Sequence, residues 1–185
     1  VDVAPTGVSG YVGGSFRLAD GLALAPFVHA GGTVVEPNIA LTWQLGGLWL
    51  MPALGTSIDL GDTRAVSLDP QLFAALDAKL IYAEAWAQYF IGTVYHSGTP
   101  NIFAARLMLL VSLCSSLGLG VEYDPTVVTN SDASSSLLSS IVGGRTNVRI
   151  GDHDTIGLFL GYQGVSRARG SVEGISGRFE FVHQW

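Results

Sequence analysis

Seven ionisable side chains, Glu84, Arg106, Glu122, Arg145, Arg149, Arg178 and Glu180, each fall on the polar side of a stretch whose alternate residues are apolar. Charges gathered on one sheltered side can do one of two things. Arginines can ring an ion-selective constriction. Alternatively, guanidinium and carboxylate groups can pair across strands into a rigid plug, because an isolated buried charge is expensive. Other reactive residues make weaker cases. His96 and Ser97 are adjacent, and neighbours in a strand point to opposite faces, so they are poorly placed to share a proton, and spacing assigns no third group to orient them. Asp152-His153-Asp154 reads as a tight turn whose Asp side chains bond local backbone. His29 reads as a hydrogen-bonded interior filler and Cys114 as a small buried residue. The glycines of Gly10-Tyr11-Val12-Gly13-Gly14 lack the helix and the lysine of a phosphate loop. No catalytic residue, metal site or cofactor is expected, and the chain is not expected to be an enzyme.

The elements that would carry these charges show a two-residue period. Phe103, Ala105, Leu107, Leu109, Val111 and Leu113 lie on one side, with Arg106, Met108 and Ser112 on the other. After Ser115-Ser116 the pattern resumes, Leu117, Leu119, Val121 and Tyr123 alternating with Gly118, Gly120, Glu122 and Asp124. Ile81 to Ile91 sets Ala83, Ala85, Ala87 and Tyr89 against Glu84, Trp86 and Gln88, and Thr155 to Gln163 repeats the form. A soluble sandwich also alternates. Its polar side, however, faces water and carries many Lys and Glu, whereas here it is Gly, Ser, Thr and a few ions, which suits a confined lumen.

Composition agrees. Charged residues make up 13% of the 185, against roughly 25% in a soluble domain, and mean hydropathy is +0.40. Two uncharged stretches, Pro37 to Ile58 and Leu107 to Val121, must be tested as membrane helices. A helical span needs ~20 largely apolar residues. The first stretch is interrupted by Asn38, Gln44, Gly46-Gly47 and Pro52, and the second is short and rich in Ser and Gly. The net charge of −6 arises from scarce basic residues, with Lys79 the one lysine. No basic stripe is available to neutralise phosphates, so nucleic acid is not an expected partner.

About eleven strands are expected, near 7–18, 22–34, 38–46, 48–60, 70–78, 80–95, 101–113, 116–124, 139–151, 154–164 and 176–185. Tight turns at Asp20-Gly21, Gly46-Gly47, Ala78-Lys79, Ser115-Ser116 and Gly151 to Asp154 alternate with longer links at 61–69, 97–100, 125–138 and 165–175, apart from a brief link at 35–37. Transmembrane barrels alternate in this way, and bacterial single-chain ones normally hold even strand numbers. Residues 1–6 are too short for a full crossing, and Leu72 to Leu76 could form a helical turn. The expectation is one all-β domain over 1–185, a single antiparallel transmembrane β-barrel of about 10–12 strands, twelve preferred to ten.

The chain finishes Gly177-Arg178-Phe179-Glu180-Phe181-Val182-His183-Gln184-Trp185, with Phe179, Phe181 and Trp185 alternating to one side. This resembles the last strand of Gram-negative outer-membrane β-barrel proteins, in which a terminal aromatic and alternate hydrophobes are recognised by the barrel assembly machinery. The usual last residue there is Phe, and His183 interrupts the apolar row. The resemblance implies an outer-membrane location, membrane lipid as surroundings and assembly machinery as a partner during insertion. Trp43, Tyr89, Tyr123, Tyr162, Phe179, Phe181 and Trp185 are the candidates for the lipid–water boundary, where amphipathic rings settle; Trp49 and Trp86 read as lumen fillers. The expected function is a small pore or a structural membrane component. One alternative is a barrel subunit of a larger envelope complex, holding partner proteins through its loops. A lipid-modifying hydrolase is the other.

Overall fold

A computed structural model describes residues 2–4, 7–129, 136–165 and 173–183. Thirteen strands form one sheet: β1 (Asp2–Ala4), β2 (Gly7–Gly13), β3 (Phe16–Ala19), β4 (Leu22–Gly31), β5 (Val34–Leu45), β6 (Leu48–Asp59), β7 (Arg64–Asp77), β8 (Ile81–Phe90), β9 (Ile102–Cys114), β10 (Leu117–Val128), β11 (Ser136–Ile150), β12 (Asp154–Val165) and β13 (Gly174–His183). A single 3₁₀ turn, Gly92–Val94, follows β8. Among the described residues no helix is long and apolar enough to cross a membrane.

Every pairing is antiparallel, and the order returns on itself. From β4 to β13 each strand pairs with the next; β13 then pairs with β1, β1 with β2, and β2 with β4. Both β2 and β3 pair with β4, so they form one interrupted strand. Twelve positions therefore close the ring. The twelfth, absent from the expected strands, is β1, where Asp2 pairs with Glu180 and Val3 with Phe179. With it the ring closes through antiparallel pairs throughout, whereas an up-and-down ring of eleven would bring its first and last strands together in parallel.

The period of two places side chains as expected, with the apolar row outside. Leu107, Leu109, Val111 and Leu113 of β9 are exposed, as are Val121 and Tyr123 of β10 and Leu158, Leu160 and Tyr162 of β12. The buried residues are largely polar: Glu36, Asn38, Ser57, Ser67, Asp69, Gln71, Glu122, Arg145 and Glu180, beside Met108, Leu110 and Phe159.

Several boundaries differ from the sequence reading. β5 begins at Val34 and runs through Pro37, which pairs with Val28, so the link lies at 32–33. β7 begins at Arg64, so most of the expected 61–69 loop is strand, and Leu72 to Leu76 continues that strand. β8 ends at Phe90 rather than near 95. Cys114 is exposed, not buried, because β9 ends there beside the Ser115-Ser116 turn.

The turns at Gly21, Gly46-Gly47, Lys79, Ser115-Ser116 and Gly151 all lie at one end of the ring, where backbone bonds such as Gln44 N–H to the Gly21 carbonyl and Asp77 N–H to the Gly47 carbonyl join neighbours. Gly46 has φ 61, in the left-handed region that a residue without Cβ enters freely. The wall also bends. β9 and β11, second neighbours across β10, come within 8 Å between Cα atoms, whereas two strand spacings give ~9.6 Å in a flat sheet. Gly120 lies opposite Leu110, where a Cβ would overlap the Leu109 carbonyl oxygen and stand 2.8 Å from the Leu110 Cα. Both are backbone atoms and cannot step aside. Gly120→Ala is expected to destabilise the barrel by about 1–3 kcal/mol through overpacking, read as a lower midpoint in urea unfolding of the detergent-solubilised protein.

Candidate functional site

Interior side chains of β9, β10, β11 and β13 meet in one ion cluster. Glu122 on β10 is 1% exposed and Arg145 on β11 is 5% exposed, so neither has water to solvate its charge. Arg145 Nη1 donates to Glu122 Oε2 at 3.0 Å, its Nη2 meets Glu180 Oε2, and its Nε donates to Asn147 Oδ1 at 2.7 Å. Arg178 Nη1 meets Glu122 Oε1, and its Nη2 donates to Asp124 Oδ2 at 2.5 Å. Arg106 reaches from β9 to Glu180 Oε1 on β13 at 2.9 Å and lies 3.8 Å from Glu122 Oε1. Gly157 makes room for this, since a Cβ there would collide with Arg145 Nη2.

A second cluster occupies β4 to β8. Gln71 Nε2 donates to Glu36 Oε1 at 2.5 Å and to Asn38 Oδ1 at 2.7 Å, and Gln88 Nε2 donates to the same Glu36 oxygen at 2.6 Å. His29 Nδ1 is 3.5 Å from Glu36 Oε2. Ser57 Oγ donates to Asp69 Oδ2 at 2.6 Å, and Tyr82 OH to Glu84 Oε2 at 2.7 Å.

Trp86 joins the two. Its Nε1 donates to Gln71 Oε1 at 3.0 Å, its ring meets His29 edge-on at 6.3 Å, and the Arg106 guanidinium lies 6.0 Å from the ring centroid. Contacts therefore run from His29 on β4 through Glu36, Gln71 and Trp86 to Arg106, Glu180 and Arg178. They form a layer across the barrel interior.

Of the seven ionisable candidates, Arg106, Glu122, Arg145, Arg178 and Glu180 are brought together, and Glu84 faces the interior on β8 beside Tyr82. Arg149 is the exception. It has the same parity as Arg145, but four residues further on it lies exposed next to the Gly151 turn. The arginines are matched by carboxylates, so they make no uniformly positive ring. Trp49 also points inward, packed on Phe73 at 4.8 Å. Sequence reasoning did not pick out Glu36, Asn38, Asp69 or Gln71. The signal was available in Ser67, Asp69 and Gln71 alternating with Leu68, Pro70 and Leu72.

Trp43, Tyr123, Tyr162, Phe179 and Phe181 project outward and are exposed. Tyr89 also projects outward, half-buried, its hydroxyl 2.8 Å from Thr129 Oγ1. Trp185 lies outside the described residues. Among the described residues no group of His, Cys, Asp and Glu could hold a metal ion. Asp154 instead faces His183 Nδ1 at 2.7 Å, and His96 Nε2 lies 3.2 Å from the Ala65 carbonyl oxygen.

The solved structure of the NanC porin superposes on this barrel with a TM-score of 0.64 at 11% identity, covering 100% of this chain and 96% of that one. The fold resembles that porin's. No family model matches the chain, and no curated protein matches it significantly.

Proposed function

We propose that the chain is an integral outer-membrane barrel forming a narrow, porin-like passage for small ions, restricted by the layer of side chains that Trp86 and Arg106 carry across the lumen. The observation that supports a passage most directly is the closed ring of twelve strand positions with a porin-like fold, and the contact path from His29 to Arg178 supports its restriction. Twelve strands make a wider ring than the ~8 that side chains can fill outright. Here the interior of that ring is spanned by polar groups, which can admit water and ions when they shift. The outward apolar rows support the membrane setting, because soluble proteins rarely expose contiguous apolar patches beyond a few hundred Å². Exposed aromatics near strand ends, such as Trp43 and Tyr162, suit the lipid–water boundary. In this setting the tight turns are periplasmic and the longer connections external. Membrane lipid and, during insertion, the barrel assembly machinery are the partners.

Bilayer recording with the purified chain tests the passage. Small current steps are expected, and Trp86→Ala should enlarge them severalfold by opening the partition at its centre. A bilayer that stays silent with both proteins would leave a purely structural barrel as the reading.

A further inference from the structure

The ionic groups of the two interior walls are not balanced alike. On the β9–β13 wall, Arg106, Arg145 and Arg178 meet Glu122, Asp124 and Glu180, three charges against three. On the β4–β8 wall stand three further carboxylates, Glu36, Asp69 and Glu84, whose hydrogen bonds come from neutral donors: Gln71 and Gln88, Ser57, and Tyr82. His29 is the basic side chain that faces Glu36. Arg106 and Arg145, the arginines that act electrostatically on Glu84, are engaged with Glu180 and Glu122. The leftover bonding capacity has the same sign. Among the described residues, the buried side-chain polar atoms without a hydrogen bond are all carboxylate oxygens: Asp69 Oδ1, Asp124 Oδ1 and Glu180 Oε1. Glu180 Oε1 still lies 2.9 Å from Arg106, but Asp69, at 0% exposure, carries a lone acceptor in a polar interior. Unmet buried acceptors cost free energy, and a donor or a positive charge is what would satisfy them.

We propose that the passage selects small cations over anions, with Glu36 and Glu84 as the residues that set the preference and the arginines neutralised by the carboxylates of their own wall. This rests on the reading of the chain as a passage. Rings of acidic side chains favour cations through the field they hold at a constriction, and low-dielectric walls strengthen that field.

The test is the reversal potential of the purified full chain in a neutral-lipid bilayer under a KCl gradient. The expected sign is that of K⁺ permeation, with a K⁺ to Cl⁻ permeability ratio severalfold above one. Glu84→Gln and Glu36→Gln should each lower the ratio, and the double variant should bring it near one, while heat-modifiable migration on a gel shows that each variant is folded. Current steps that reverse on the chloride side, or a ratio unmoved by both substitutions in folded protein, would overturn the selectivity and leave the passage standing. A bilayer silent with the wild type and with Trp86→Ala would overturn both.

Discussion

Arg145→Ala is expected to lower the stability of the barrel by about 3–5 kcal/mol, the usual effect of removing one partner from a buried ion pair. Arg145 is almost wholly buried and touches both Glu122 and Glu180. Without it, two carboxylates inside the wall lose a counter-charge. Arg178 and Arg106 still reach Glu122, but both already serve other carboxylates. The measurement is the urea midpoint of the folded protein in detergent micelles, compared with that of a double variant carrying Arg145→Met and Glu122→Gln, which leaves Arg106 and Arg178 against Glu180 and Asp124. Removing charge from both sides should recover much of the loss, because neutral groups carry a smaller desolvation penalty. An unchanged midpoint in Arg145→Ala would mean that the cluster sits in open water.

Leu109→Arg is expected to destabilise by about 2–4 kcal/mol if hydrocarbon surrounds the barrel, the effect of a basic residue near the bilayer midplane on a lipid-facing strand. Leu109 is 48% exposed in the middle of β9, between Leu107 and Val111. The same substitution on a protein in water would fall within about ±0.5 kcal/mol. Its size therefore reports the solvent directly. Unfolding from lipid vesicles supplies the value, and a neutral result would remove the membrane from the account.

How far the sequence foretold this arrangement depends on what each stretch needs from its neighbours. The Leu107 to Tyr123 hairpin was legible because a shift of one residue moves every side chain to the other face, so its alternation has one workable register. The inward placement of Glu122 came with it, and that of Arg178 came with the alternation of Phe179 and Phe181 in the last strand. Three features were not legible. Asp2-Val3-Ala4 is too short to show any period, and becomes a strand only because β13 and β2 flank it. Pro37 and Pro70 look like interruptions, yet they pair with Val28 and Leu54 within the sheet. The mutual distances of the charged groups depend on how the wall bends at β10 and on how far Arg106 and Trp86 reach. Strand periodicity carries no information about either, so Arg149, correct in parity, was grouped with a cluster that it does not join.

The three-residue strand β1 has a consequence for how the molecule comes together. From β4 to β13 each strand pairs with its successor in sequence, so this part of the sheet can zip up hairpin by hairpin. The pairing of Asp2 with Glu180 instead joins opposite ends of the chain. Such non-local contacts must meet a large loop-closure entropy before they are rewarded. Closing the seam between β1 and β13 is therefore expected to be the slow, late event of assembly, and until it happens the edges of β13 and β1 remain open to other strands.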